Sequence, residues 1–168
     1  LGAIPDCVGP VLDSLRILDL EIQSMPKQAG IEFAHLNANK YRGVATFSTH
    51  DMAPMRLWWE ENPERTQRYY ATMLQKDGRA PLKMPAFIAE EVIARHLYCP
   101  SMMCIMALQD WLAVDAGLHN PDTRAERINV PGSAFCGWSY RMHIDIERLV
   151  GDVKFNEKLK LMITRSRR

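Results

Sequence analysis

Several features that assign proteins to particular classes are missing from this sequence. Its 21 lysines and arginines nearly balance its 20 aspartates and glutamates, so a net charge of +1 gives no electrostatic reason to expect nucleic acid as a partner. The longest apolar run, at residues 102–108, has seven residues, well short of the ~18 that a membrane span requires. No basic stretch followed by an apolar one marks a secretory signal. We therefore expect neither nucleic acid nor a membrane as a partner.

Metal-binding and cofactor-binding patterns are also missing. The histidines outside the segment at residues 48–51 stand singly, without ligand spacing: His35, His96, His119 and His143. There is no glycine-rich phosphate loop and no H-E-x-x-H motif, so we expect no metal and no cofactor. The cysteines form no C-x-x-C pair, which predicts free thiols in a cytoplasmic protein: Cys7, Cys99, Cys104 and Cys136.

The composition permits a buried core, and the order of predicted elements is of the α/β class. Hydrophobic residues make up 47% of the 168 residues, which we take to be a single unit over 1–168. Periodicity and turn residues predict the following order: a helix at 10–15, a strand at 16–22, a loop to Tyr41, a strand at 43–49, helices from Pro54, at 66–74 and at 87–97, a strand at 102–108, irregular structure over 115–141, and a helix over 145–163 that breaks near Gly151.

Strands separated by helices indicate a parallel sheet. About three strands are few for a free-standing parallel sheet, and a complete (β/α)8 barrel needs ~250 residues. Part of such a TIM barrel, helix-rich as an isolated fragment, fits the length. The chain also opens on Leu1 rather than Met, so we expect a piece of a longer protein.

The most informative local feature is the segment Ser48-Thr49-His50-Asp51, directly after a predicted buried strand. In an α/β barrel, functional residues lie at the carboxyl ends of strands. Two interpretations are open: His50 and Asp51 face a binding pocket, or Asp51 caps the following helix. Gln109 and Asp110 end the third predicted strand, and the same two interpretations apply to them.

Tryptophan is a second candidate for a binding role, because an indole ring combines apolar area with a polar edge and can stack on a sugar face. Trp58 and Trp59 lie on a predicted helix, where core packing is the better interpretation. Trp111 and Trp138 remain open.

Several phrases, taken together and in order, resemble the C-terminal part of the 4-alpha-glucanotransferases, the amylomaltase or disproportionating-enzyme family (glycoside hydrolase family seventy-seven). The similar phrases are Leu1-Gly2-Ala3-Ile4-Pro5, Leu20-Glu21-Ile22-Gln23-Ser24-Met25-Pro26, Thr49-His50-Asp51, Arg56-Leu57-Trp58-Trp59-Glu60-Glu61, Leu108-Gln109-Asp110, Arg127-Ile128-Asn129-Val130-Pro131-Gly132 and Trp138-Ser139-Tyr140-Arg141. The M-P and W-W-E-E phrases are similar to the larger branch related to the plant cytosolic disproportionating enzyme.

The resemblance implies a retaining transferase on a (β/α)8 barrel, which moves glucosyl units between α-1,4-glucans or malto-oligosaccharides. It further implies that Asp51 is the carboxylate that stabilises the transition state and that His50 hydrogen-bonds the sugar beside the cleaved bond. Asn129 and Gln109 would line the glucan cleft. Retention also requires a nucleophile and an acid/base, and the family's nucleophilic Asp and its Glu of E-D-L-G fall upstream of Leu1. We therefore expect the chain alone to be inactive.

Two further expectations follow from part of a barrel. Open sheet edges and an apolar interior favour self-association, or else helical packing of residues 102–108. An alternative to the transferase is a non-catalytic, helix-rich interaction or structural domain, in which Asp51 is a helix cap and the tryptophans are core residues.

Overall fold

A computed structural model of the chain describes residues 4–133 and 137–168. Cys136 and the first phrase up to Ala3 therefore lie outside the described residues. Three parallel strands form a sheet in the order β1 (Asp19–Ile22), β2 (Gly43–Thr46) and β3 (Met103–Cys104). The prediction of a parallel α/β arrangement is confirmed.

Helices follow the strands and supply most of the structure. Asn62 ends one helix and starts the next, because its side chain accepts a hydrogen bond from the Arg65 amide at 2.9 Å and Pro63 provides a preorganised first helical residue. Asp152 caps the last helix in the same way, through the Phe155 amide at 2.9 Å. The helices are α1 (Val8–Ser14), α2 (Met55–Glu61), α3 (Pro63–Thr72), α4 (Ala86–Leu97), α5 (Leu108–Leu112), α6 (Ile146–Gly151) and α7 (Val153–Arg165), with short 3-10 turns at Leu36–Ala38 and Thr123–Glu126.

One face of the sheet packs against helices to form the core. Phe47, at the end of β2, is fully buried, and its ring makes an edge-on contact with Trp58 of α2 at 5.2 Å between centroids. Trp58 contacts Tyr69 of α3 in the same manner at 5.3 Å. Helix α4 adds the fully buried Ile88, Val92 and Ile93 among its apolar side chains. Trp58 and Trp59 are core residues, as the sequence indicates.

Part of the opposite face of the sheet is open, at the register position before the buried Thr46. Leu20, Val44 and Met103 occupy one register position across the three strands. Leu20 is 44% exposed and Met103 is 42% exposed, while Val44 is half-buried. We call these three residues the open apolar layer. In a closed barrel this position faces the interior, where further strands would cover it.

The predicted third strand is wrong over most of its length. Only Met103 and Cys104 are in β3, and Leu108 begins α5 instead. Within the described residues β3 is an edge strand that pairs with β2 alone. Because no second neighbour hydrogen-bonds to the rest of the apolar run, the strand ends after two residues. Gln109 and Asp110 consequently lie in a helix and not at the end of a strand.

The other predicted elements are confirmed with shifted boundaries, including the break of the C-terminal helix near Gly151. In the described part of the chain, no helix has both the length and the apolar character needed to cross a bilayer.

Candidate functional site

His50 and Asp51 lie in the segment that connects β2 to α2, as the sequence predicts. After the buried Phe47 and Ser48, the backbone turns, with the Met52 amide donating to the Thr49 carbonyl at 3.0 Å. The side chains of His50 and Asp51 are 52% and 40% exposed, respectively. This end of the strand therefore leaves an imidazole and a carboxylate exposed, while the residues before them are buried in the core.

Asn129 joins this pair from a distant part of the chain. Its amide nitrogen Nδ2 donates to Asp51 Oδ1 at 2.6 Å, and its backbone N–H donates to the His50 carbonyl at 3.2 Å. His50 Nε2 lies 3.5 Å from the same Asp51 oxygen. The hydrogen bond from Asn129 thus orients the carboxylate, and the His50 ring lies beside the same oxygen. Two of the phrases behind the family resemblance meet at this point.

The helix-cap interpretation of Asp51 is wrong. Pro54 occupies the cap position of α2 and makes no side-chain cap. The first N–H group of α2, that of Met55, instead donates to Asp110 Oδ1 at 2.8 Å. Ala107, the cap residue of α5, makes no side-chain cap, but its amide donates to the Asp110 carboxyl group. Asp110 therefore ties α5 to α2, which the spacing of residues along the chain does not reveal.

Trp138 completes the exposed group. Its ring centroid lies 5.0 Å from that of His50, with the planes tilted by 42°, and the residue is 68% exposed. We call His50, Asp51, Asn129 and Trp138 the Asp51 cluster. The sequence marked Trp138 only as an open candidate, and its position six residues after Pro131-Gly132 is the signal that could have linked it to Asn129.

Gln109 is not part of the Asp51 cluster. The residue is 3% exposed, and its amide nitrogen donates to the backbone carbonyl of Glu126 at 3.0 Å. It supports the segment that leads to Asn129. Its contact with a glucan stays a prediction.

A second polar group is buried beside the first. Arg56 of α2 pairs with Glu126 at 2.8 Å, and the two side chains are only 5% and 3% exposed. Arg56 also donates to the Asn120 carbonyl at 2.7 Å. We call Arg56, Asp110 and Glu126 the Arg56 cluster. It anchors the loop over 120–126 to α2.

Burial dominates the protonation of this buried group. It raises the pKa of the Asp110 carboxyl to about 7, against the opposing effect of hydrogen bonds from the Met55 and Ala107 amides. It also raises the pKa of Glu126 to about 7, against the opposing charge and hydrogen bond of Arg56. Two further contacts flank the pair: the buried Thr123 donates from Oγ1 to Glu60 at 2.9 Å, and Arg127 pairs with Glu61 nearer the surface at 2.9 Å. The backbone before Asn129 is thereby fixed along α2.

Over residues 4–133 and 137–168, no three His, Cys, Asp or Glu side chains gather in a way that could hold a metal ion.

Three adjacent parallel strands with polar residues after the central one define a segment of an α/β barrel, and a solved structure bears this out. The chain matches "Amylomaltase from Streptococcus agalactiae in complex with acarbose" with a TM-score of 0.70 and 20% identity, covering 100% of this chain and 31% of that chain. The fold expectation of part of a (β/α)8 barrel is confirmed. A sequence model of the 4-alpha-glucanotransferase family matches residues 1–146, and the chain belongs to this family.

Curated relatives agree with this assignment. A 4-alpha-glucanotransferase DPE2 of Oryza sativa subsp. japonica is 33% identical over 168 residues, which is 100% of this chain and 18% of the relative. A 4-alpha-glucanotransferase of Chlamydia muridarum is 29% identical over 162 residues, which is 95% of this chain and 30% of the relative. The chain thus spans less than a third of the length of either protein.

Proposed function

We propose that the chain forms part of the active site of a retaining 4-alpha-glucanotransferase, which transfers α-1,4-linked glucosyl units between malto-oligosaccharides or glucans. The observation that supports this most directly is the 2.6 Å hydrogen bond between Asn129 and Asp51. It brings two separate family phrases to the carboxyl end of β2, the end at which barrel enzymes carry their functional residues.

In this proposal Asp51 stabilises the positive charge that develops on the sugar ring during cleavage. A retaining reaction passes through an oxocarbenium-like transition state, and an oriented carboxylate beside it lowers the energy of that state more than it lowers the energy of the neutral substrate. His50 donates or accepts a hydrogen bond at a sugar hydroxyl next to the cleaved bond. Asn129 orients Asp51 and lines the cleft, with Gln109 behind it.

The nucleophile and the acid/base belong to family segments that precede the first phrase matched here. We therefore expect the 168-residue chain by itself to transfer no glucose, since one stabilising carboxylate replaces neither a nucleophile nor a proton donor. Incubating it with maltotriose and separating the products by chromatography tests this. Appearance of glucose and longer oligosaccharides would contradict the assignment of roles.

The decisive experiment replaces Asp51 by Asn in the natural full-length protein and measures maltotriose disproportionation. We expect turnover to fall by about 100-fold to 1000-fold, the range for loss of one preorganised electrostatic group. Asp77→Asn is the matched control, because Asp77 is an exposed carboxylate on the turn after α3. An Asp51→Asn protein with the control's activity would exclude the role of Asp51. Absence of any glucan binding would favour the interaction-domain alternative.

We further propose that the isolated chain self-associates through the open apolar layer and the edge of β3. Unpaired strand edges beside exposed apolar side chains pair readily with other chains. Light scattering should give a mass above the 19.3 kDa of the monomer, and Leu20→Lys should lower it towards that value. A wild-type monomer would contradict the proposal.

We also propose a cytoplasmic location, because the free thiols of Cys7, Cys99 and Cys104 suit a reducing compartment. Cell fractionation of the natural protein tests this, and recovery outside the cytoplasmic fraction would contradict it.

A further inference from the structure

We propose that Trp138 is a stacking surface for a glucose unit of the bound glucan, one sugar position away from the unit that His50 and Asp51 contact. The inference rests on the proposed function, and it adds a binding residue that the family phrases leave without a role. Three independent observations support it: the exposure of the ring, the conformation of its backbone and its contact with His50.

The exposure of Trp138 sets it apart from the other tryptophans. Trp58 is 4% exposed and Trp59 is 1% exposed, whereas Trp138 is 68% exposed. Trp111 is half-buried. An indole left in water forgoes the stabilisation that burial of its large apolar surface would give. Within the described structure, that surface is available to a ligand.

The backbone of Trp138 holds the ring in this exposed place. Its φ is +60°, a conformation that bulky residues rarely adopt and that persists only where the surroundings impose it. Two contacts impose it here: the Trp138 amide donates to the Ile128 carbonyl at 2.9 Å, and Gly137 forms an antiparallel bridge with Asn129. The residue that orients Asp51 therefore also fixes the position of Trp138.

The contact with His50 defines what the ring can bind. A glucose unit has an apolar face of C–H groups and a rim of hydroxyls. The indole offers the matching apolar surface, while the adjacent imidazole and carboxylate offer hydrogen-bonding partners for the rim. Since the centroids of Trp138 and His50 lie only 5.0 Å apart, one glucan chain reaches both.

The first test compares Trp138→Ala, Trp138→Phe and Tyr41→Ala in the natural full-length protein with maltotriose as substrate. Tyr41 is the matched control: it is 67% exposed but precedes β2, so it lies at the opposite end of that strand from His50. We expect Trp138→Ala to raise KM about tenfold with kcat within about twofold, the pattern for loss of uniform binding. Trp138→Phe keeps most of the affinity, and Tyr41→Ala leaves both constants unchanged.

The second test measures glucan binding by the full-length protein directly, through tryptophan fluorescence. Iodide quenches exposed indoles, so acarbose or a long malto-oligosaccharide should protect part of the tryptophan fluorescence of the wild-type protein. The Trp138→Ala protein should lack that protected part, while Asp51→Asn should keep it despite its low turnover.

The outcomes separate the two proposals. Wild-type KM and wild-type protection in Trp138→Ala, with Asp51→Asn inactive, would overturn the role of Trp138 and leave the proposed function intact. A fall in kcat and in stability for Trp138→Ala, without a rise in KM, would assign it a structural role and also overturn the inference. Full activity of Asp51→Asn would overturn the proposed function itself.

Discussion

Two polar clusters adjoin the start and the body of α2, and they differ chiefly in their access to water. In the Arg56 cluster, the Arg56–Glu126 pair is at most 5% exposed, and Arg56 Nη1 donates both to Glu126 and to the Asn120 carbonyl. In the Asp51 cluster, the carboxylate and the imidazole are 40% and 52% exposed. Buried charged groups must stay paired within the folded chain, because an unpaired buried charge destabilises the fold. Exposure leaves groups of the same chemistry available to a ligand. The comparison predicts that single substitutions in the first cluster lower stability and that single substitutions in the second lower activity.

The largest effect should come from breaking the buried pair on one side. Arg56→Met leaves Glu126 buried without its partner, and at pH 8, above the Glu126 pKa of about 7 in the wild type, we expect it to lower the free energy of unfolding by about 3–5 kcal/mol. The double variant Arg56→Met with Glu126→Met should recover most of that loss, since an apolar pair of similar volume removes the unpaired charge. Urea unfolding measures both.

The control for this experiment is an exposed ion pair. Arg68 pairs with Glu32 at 2.6 Å, but these side chains are 51% and 43% exposed. Arg68→Met should therefore change stability by less than about 1 kcal/mol. Equal losses for Arg56→Met and Arg68→Met would break the comparison.

A smaller effect should appear as a dependence on pH. Asp110 has a pKa of about 7 in the folded protein and about 3.8 when unfolded, so the folded state retains a proton that the unfolded state releases. The stability that Asp110 contributes is fully present below its unfolded-state pKa of 3.8, and it is lost as the pH rises through its folded-state pKa of about 7. Asn cannot titrate. We therefore expect the stability of Asp110→Asn, relative to wild type, to increase by about 2 kcal/mol or more from pH 4 to pH 8.

Comparing the two proteins at each pH cancels the titrating groups that do not interact with Asp110. Glu126 is the exception, because the Asp110 charge raises the pKa of Glu126. The pKa of the fully buried His96 is lowered to about 4 by burial, and its contribution rises with pH over an overlapping range in both proteins. A constant stability difference between Asp110→Asn and wild type across this range would show that Asp110 is ionised in the fold.

An effect of about tenfold is expected for Asn129, which contacts Asp51 but carries no charge. Asn129→Ala removes the 2.6 Å hydrogen bond that orients the carboxylate, so turnover of maltotriose in the full-length protein should fall about tenfold, which corresponds to ~1.4 kcal/mol. Asn37→Ala is the control, because Asn37 is exposed in the 3-10 turn before β2. A turnover equal to that of the control would remove Asn129 from the site.

The smallest expected effect is on the stability of Asp51→Asn. Asp51 is part of the exposed cluster, and Asn preserves its shape, so we expect unfolding free energy to change by less than about 0.5 kcal/mol. Together with a large loss of turnover, this would show that the Asp51 cluster contributes to chemistry and little to the fold. A loss comparable to that of Arg56→Met would contradict the division between the clusters.

Local sequence patterns predicted the strands and helices that have strong signals of their own. The small and β-branched residues after Gly43 predict β2, and the spacing of apolar residues after Pro85 predicts α4. The third strand failed because an apolar run carries no information on which neighbour it pairs with. At the sheet edge, only Met103 and Cys104 keep ladder pairing with β2.

The clusters were harder to predict than the elements, because their members are far apart in the chain. Arg56 and Glu126 are separated by 70 residues, and neither lies in a motif that predicts a buried ion pair. From the sequence, Asp51 is one open candidate for the cap of α2, whereas the folded chain uses Asp110, 55 residues after Met55. His50 and Asp51 could be grouped from their place after a buried strand, but Asn129 could be added to them only through the family resemblance. Their roles toward a glucan stay predictions, as does the extent of the single unit.

The carboxylate of Asp110 has a consequence for how the chain opens. Because the first amide of α2 donates to a side chain on α5, that amide is shielded from solvent only while α5 remains in place. Hydrogen exchange at Met55 therefore reports detachment of α5, and the two helices should exchange as one cooperative unit. The segment that bears His50 and Asp51 leads directly into this first turn. Its lifetime in the ordered state is thus set by a helix that begins more than fifty residues later along the chain.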